Sequence, residues 1–288
     1  MKSQVLFCKD LSPEAVLKMY QLLGKMLTGR VAIKVHSGEE GNPNFLRPAF
    51  WKPVVDFVGG TIVECNTAYE GARNTAQRHM QLLKKHGWSD LYPVDLLDAQ
   101  GPDMVLEIPN GTVIKQNFVG KDLENYDAAL VLSHFKGHPM GGFGGAIKQL
   151  SIGFASSYGK AYIHGVGDPE HFWDREQDLF LAAMADAASS VVNYFGGNIV
   201  YINVMKNLSV DCDCVGKGAK LPCMSDVGIL TSLDPVAIDQ ACMDLVYASN
   251  DPGKADLIER MESRHAVHTL EVAEKLGIGS REYQLVGV

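Results

Sequence analysis

The sequence predicts an α/β fold built on a doubly wound, mostly parallel sheet, and three observations predict it. Strand-like and helix-like segments alternate from end to end. The strand-like runs are short, apolar and often β-branched, as strands covered on both faces are. Glycines cluster where those runs end, which points to sites lined by backbone. In order, residues 31–36 (VAIKVH), 61–65 (TIVEC), 128–134 (AALVLSH), 198–204 (NIVYINV) and 226–230 (DVGIL) are the expected strands. Helical patterns lie at about 12–28, 48–58, 73–86, 175–194, 235–247 and 264–276. One interruption breaks the alternation. Residues 104–109 (MVLEIP) and 112–118 (TVIKQNF) flank Asn110-Gly111, the strongest two-residue hairpin signal, so an antiparallel hairpin is expected as an appendage to the parallel core. Without internal repeats or low-complexity linkers, residues 1–288 are expected to form one domain with two lobes, joined near 159–175, where Gly159, Gly165, Gly167 and Pro169 collect.

Composition narrows the function classes. Hydrophobic residues make up 46% and charged residues 21% of the 288, which excludes a disordered, collagen-like or coiled-coil chain. Against 34 Asp and Glu stand 26 Lys and Arg, a net charge of −8 with no long run of like charge, so no broad nucleic-acid or anionic-membrane face is expected. The N-terminus has no signal-peptide pattern, and no apolar run reaches the roughly 18 residues that a membrane span needs. A soluble, cytoplasmic protein is expected. Six Cys, at 8, 65, 212, 214, 223 and 242, are sparse for a disulfide scaffold, which turns attention to metal binding or thiol chemistry.

In open α/β sheets the ligand crevice lies at the carboxyl ends of the strands. Strand 31–36 runs into His36 and Glu39 in a glycine-containing loop, which is either a site or a solvated turn. The loop after 61–65 offers Asn66, Tyr69 and Arg73, and Asn74 either caps the next helix or joins them. The richest segment is SHFKGHPMGGFGGAIKQLSIG at 133–153. His134 and His138 are four apart, but Gly137 and Pro139 argue against a helix there, so a loop must converge the two imidazoles. Gly141, Gly142, Gly144 and Gly145 allow close backbone approach, and a helix start from about Gly145 offers free N–H groups to an anion. Lys148 then stands one turn into that helix as a point charge or proton-transfer group. Neither standard phosphate motif fits. A P-loop needs Gly-Lys followed by Ser or Thr, and a dinucleotide fingerprint needs Gly where Ile147 stands, so neither ATP nor NAD is expected.

A second cluster is Asp211-Cys212-Asp213-Cys214, with Cys223 further on. In an extended stretch residues i and i+2 point the same way, so Cys212 and Cys214 can present both thiolates to one centre. Three Cys leave a zinc site or an iron–sulfur cluster one ligand short. Inert thiols and a redox-active pair are the alternatives. Asp234-Pro235 is a helix start, Asp239 needs a partner if buried, and Cys8 and Cys242 are simplest as core thiols.

These residues carry a resemblance. The 133–153 string resembles the hallmark of the family named domain of unknown function 362, as do VAIKVHSGEEGNPNFLRP, CNTAYEGARNTAQRH, the CDC stretch, SDVGILTSLDPVAIDQACMDLV and LGIGSREYQLVGV, which together span nearly the whole chain. The resemblance implies an iron–sulfur label. Family members often carry a ferredoxin-like insert of Cys-x-x-Cys motifs, but here Gly159-Lys160-Ala161-Tyr162 leads almost directly into the 175–194 helix. A more distant similarity is to the nickel-dependent lactate racemase type, echoed by His138, Gly144-Gly145 and Lys148.

The leading expectation is a metal-dependent enzyme, redox or proton-transferring, acting on a small anionic ligand. The candidate ligands of its metal ion or iron–sulfur cluster are His36, His134, His138, Cys212, Cys214 and Cys223. Lys148 and Glu39 are the candidates for proton transfer or anion orientation. Gly141, Gly142, Gly144, Gly145, Asn66 and Arg73 are the candidates for anion binding. A non-catalytic metal carrier and a metal-free anion-binding module are the rivals.

Overall fold

Local signals set the ends of most elements. In the computed structural model, which describes residues 2–288, the first third of the chain contains β1 (Ser3–Cys8), α1 (Pro13–Leu22), β2 (Val31–Lys34), α2 (Pro48–Val58), β3 (Thr61–Glu64), α3 (Ala76–Lys85), α4 (Trp88–Leu91) and β4 (Val94–Leu96). The middle contains β5 (Met104–Glu107), β6 (Gln116–Val119), β7 (Ala128–His134), β8 (Lys136–His138), β9 (Gly142–Gly144), the short α5 (Ala146–Lys148) continued by a π-helical turn, and α6 (Ser157–His164). The last third contains α7 (Gln177–Phe195), β10 (Ile199–Met205), β11 (Gly228–Ser232), α8 (Pro235–Ala248), α9 (Lys254–Ser263), α10 (Val267–Lys275) and β12 (Tyr283–Gly287). Helix starts follow capping chemistry: Ser12 accepts from Ala15 N before α1, and Asp234 accepts from Val236 and Ala237 N before α8. At α3 the cap is Thr75, one residue beyond Asn74. The first helix stops at Leu22, earlier than expected, because Gly24 turns the chain into the left-handed region with φ +71°.

Eight strands form one sheet in the order β12-β1-β11-β10-β7-β2-β3-β4. Only β11 runs against its neighbours; every other pairing is parallel. The sheet is doubly wound because its strands alternate between two apolar layers. On β7, Leu130 and Leu132 pack with Val16, Trp51 and Leu83 from α1, α2 and α3, while Ala129 and Val131 pack on the other face with residues of α7, α8 and α10. No helix among the described residues is long and apolar enough to cross a membrane.

The appended hairpin forms between β5 and β6, with Glu107 opposite Gln116. Its connection is not the expected two-residue turn. Asp186 on α7 accepts hydrogen bonds from the N–H groups of Thr112, Val113 and Ile114, at 2.6, 2.7 and 2.9 Å, and this holds residues 108–115 as a longer loop. Asp186→Ala strands those donors, and a loss of about 2–3 kcal/mol is expected. Urea denaturation of the variant checks this, and parental stability would mean that water takes the carboxylate's place.

The chain order places the site. From β2 the connections run outward through β3 to β4, and then β7 returns to the other side of β2 and continues to β10. The carboxyl ends of β2 and β7 therefore flank a topological switch point, where a crevice opens.

Candidate functional site

The glycine-rich segment after β7 is a tight antiparallel hairpin, with Lys136 opposite Gly144 and His138 opposite Gly142. Strand alternation points His134, Lys136 and His138 the same way. Gly137 is required for what lies against them. A Cβ there would meet Val210 O at 2.4 Å, and Gly137 N donates to Ser209 O at 2.8 Å, so the chain leading to Cys212 lies directly on the hairpin.

Cys212 and Cys214 converge by a turn rather than by extended i, i+2 geometry. Val215 N donates to Cys212 O at 3.0 Å, and Cys214 N donates to Cys212 Sγ at 3.5 Å. Asp213 points the other way and anchors the turn: its Oδ2 accepts from Lys136 Nζ at 2.8 Å and lies 2.9 Å from His134 Nδ1. Although burial opposes its charge, His134 and Lys136 hold the Asp213 carboxyl far below the usual range.

This turn brings Cys212, Cys214 and His138 together, each offering a ligand atom within 4.8 Å of the others. The Cys214 thiol hydrogen-bonds to Cys212 and, with Lys148 and Lys136 nearby, holds the Cys212 thiol well below its ordinary value despite burial. Burial, reinforced by Lys148, lowers His138 to about 4, so its ring is neutral near pH 7. Without an ion, its Nδ1 accepts from Met140 N and Gly141 N at 3.2 and 2.9 Å and the ring proton is on Nε2, 3.8 Å from Cys214 Sγ; an ion bound by Nε2 requires that proton to move to Nδ1 at the expense of the two amide contacts. The donor set of two sulfurs and one imidazole suits a thiophilic ion such as zinc, iron or nickel. Three protein donors leave a coordination position for a small molecule.

The other expected ligands lie elsewhere. Both ring nitrogens of His134 are engaged away from the cluster, Nδ1 with the Asp213 carboxylate and Nε2 with the Lys206 carbonyl at 2.5 Å, so neither is free for a metal. Cys223 Sγ donates to Leu208 O at 3.4 Å, and the residue lines a surface pocket with Asp256 and Arg260. His36 lines the cavity beside the cluster without joining it; its Nδ1 accepts from Gly38 N, and burial together with Arg73 lowers it to about 3.

That cavity, of about 240 Å³, is bounded by His138 and Cys214 at one wall, with Lys34, Arg73, Lys148 and Lys160 also facing it. Lys148 lines both this cavity and a smaller one shared with His134, Gly144 and Gly145. Gly141 and Gly142 form the hairpin end instead, where Gly142 takes φ +79°. The helix start expected to meet an anion already holds one: Asp239 of α8 accepts from Ala146 N and Ile147 N at 2.7 and 2.9 Å, and a Cβ on Gly145 would meet its Oδ1 at 2.3 Å. Glu39 is taken up by Arg73 Nε at 3.0 Å, and Asn66 by Asp98 and His79. Lys136, Asp213, Lys34, Glu64 and Lys160 escaped the sequence reading. A charged residue closing an apolar strand, as in VAIK or TIVE, was the available signal.

Fold and site define an α/β protein with a buried imidazole and thiol cluster beside a cation-lined cavity at the switch point of its sheet. The chain belongs to the family described as a domain of unknown function (DUF362), whose profile matches residues 31–244. None of the curated proteins matches it. Among solved structures it is similar to the lactate racemase apoprotein from Thermoanaerobacterium thermosaccharolyticum, at 16% identity and TM-score 0.43, over 70% of this chain and 51% of that one. It is also similar to a Thermotoga maritima protein, at 10% identity and TM-score 0.43, over 91% of this chain and 58% of that one. The chain thus spans about half the length of these structures.

Proposed function

We propose that this protein is a metal-dependent enzyme that carries out redox or proton-transfer chemistry on a small anionic molecule. The observation that carries the reading is the convergence of His138, Cys212 and Cys214 within 4.8 Å at the wall of a cation-lined cavity. Tetrahedral zinc with sulfur ligands at about 2.3 Å has donors spaced roughly 3.7 Å apart, so this spacing favours a single ion over a cluster. A cation held there supplies Lewis acidity or an electron path. The chain's own residues do the rest: Lys148 orients the anionic group of the substrate at the cavity wall. Glu39 acts through Arg73, holding the guanidinium toward the cavity.

Anaerobic purification followed by elemental analysis and an absorption spectrum tests the reading. About one metal ion per chain is expected, with near-complete loss in Cys212→Ser/Cys214→Ser, because hydroxyls are poor substitutes for thiolates. Unchanged metal content in the double variant defeats it. A spectrum that no small carboxylate perturbs would favour a closed carrier site instead. The proton on His138 Nε2, facing sulfur, favours a second reading, in which the imidazole donates to a metal-free pair of one thiolate and one thiol. Absence of any metal after anaerobic purification selects that reading.

A further inference from the structure

Two of the four cations that line the cavity are neutralised where they stand. Lys34 pairs with Glu64, and Arg73 with Glu39, both pairs buried. Lys160 on α6 differs. It is buried and lines the same cavity, its Nζ donates only to Ala155 O, at 2.6 Å, and no carboxylate among the described residues lies within ion-pairing distance. Lys148 likewise makes no ion pair among the described residues. The cavity therefore keeps two cations that no carboxylate of the described residues pairs with directly. They stand in different surroundings: Lys148 beside His138 and Cys212, Lys160 beside Cys65, Asp98 and the Lys34–Glu64 pair. Burial holds Lys160 below its ordinary value, and an arriving anion would favour its charged form. Other parts of the wall are apolar, with Met140, Ile152, Phe172 and Trp173 facing the cavity, the last 58% exposed.

We propose that the cavity takes a small dicarboxylate, a molecule with two separated carboxylate groups joined by a short apolar chain. One carboxylate meets Lys148 beside the His138 and Cys214 wall, and the other meets Lys160. Cavity lysines left without a carboxylate, Lys160 buried and Lys148 half-buried, are complemented by a ligand that brings one to each. The Lys148 end rests on the function proposed above; the Lys160 end stands on its own.

Calorimetric titration of the full chain with succinate, glutarate and adipate, and with butyrate and inorganic phosphate as comparators, tests this. At least one dicarboxylate is expected to bind tenfold or more tightly than butyrate. Lys160→Met and Lys148→Met should each reduce that affinity about tenfold, whereas butyrate should respond to only one of them. Lys160→Gln repeats the test should the Met variant fold poorly, and melting curves report folding for all. The proposal is overturned if no dicarboxylate outbinds butyrate, if phosphate binds as tightly as the best dicarboxylate, or if both Lys160 variants bind like the parent. Metal content is read separately: metal retained while dicarboxylate binding fails removes this proposal alone, and dicarboxylate binding that survives without metal removes only the metal reading.

Discussion

Replacing Asp213 with Ala is expected to destabilise the protein by about 3–5 kcal/mol and to abolish metal retention together. The magnitude follows from what the carboxylate holds. Lys136 and Asp213 are both buried, with Nζ 2.8 Å from Oδ2, and His134 presents Nδ1 to the same oxygen at 2.9 Å. Removing the anion leaves the Lys136 ammonium buried without a counter-charge and the His134 ring without its partner, the costly way to break a buried ion pair. The effect on metal follows from sequence position: Asp213 lies between Cys212 and Cys214, and its anchorage aims both sulfurs at His138. Asp213→Asn keeps the shape and one acceptor while losing the charge, so an intermediate loss is expected. Urea denaturation and elemental analysis on the same preparations check both effects. A fully stable Asp213→Ala protein with parental metal content would show that the turn holds itself.

Asp239→Ala is expected to cost about 3 kcal/mol or more, because three buried donors lose their acceptor: Ala146 N, Ile147 N and the Asn203 side-chain amide at 2.7 Å. Asp239→Asn keeps one acceptor oxygen but turns an N–H₂ toward an N–H, so a smaller loss is expected. Gly145→Ala should resemble Asp239→Ala, since the new Cβ drives the carboxylate off the two amides. The pH dependence has a definite sign. Burial raises the Asp239 carboxyl to about 6 from an ordinary 3.8, with the three donors pulling the other way. The folded state keeps its proton where the unfolded chain has lost it, so this group's stabilisation is complete below about pH 4 and lost as pH rises through 6. The difference, about two pH units, is on the order of 3 kcal/mol. Denaturation midpoints between pH 4 and 7 should therefore show a component that Asp239→Asn lacks. Parallel pH profiles for the two proteins would contradict this account.

Much of the core sheet was legible because its strands are buried on both faces. All seven residues of β7 and of β10 are buried, which leaves a run of apolar, β-branched side chains that no surface helix carries. Strand β1 and the edge strands β4 and β12 went unread for the opposite reason: they are short or half exposed, and β12 has no fully buried residue. The hairpin at 104–118 was legible as a pairing, but its turn was not, because Asp186 lies some 70 residues away in sequence. At the site, His138, Cys212, Cys214 and Lys148 were legible as residue types concentrated in short strings. His134 and Cys223 looked the same by type, and only their hydrogen bonds separate them from the cluster.

By itself the sequence determined the fold class, the order of most elements, the family resemblance and the two segments from which the site is built. Those properties depend on periodicity, capping and local composition, which act between residues near one another in the chain. Only the tertiary structure decided which side chains meet. Gly137 lets the Val210 backbone lie on the hairpin, Asp213 spends its charge on Lys136 and His134, and Asp239 occupies the helix start that an outside anion would have used. Each is a contact between distant segments, and the low-dielectric interior enforces it: a buried charge or N–H must find its partner somewhere in the fold, wherever that partner lies in the chain.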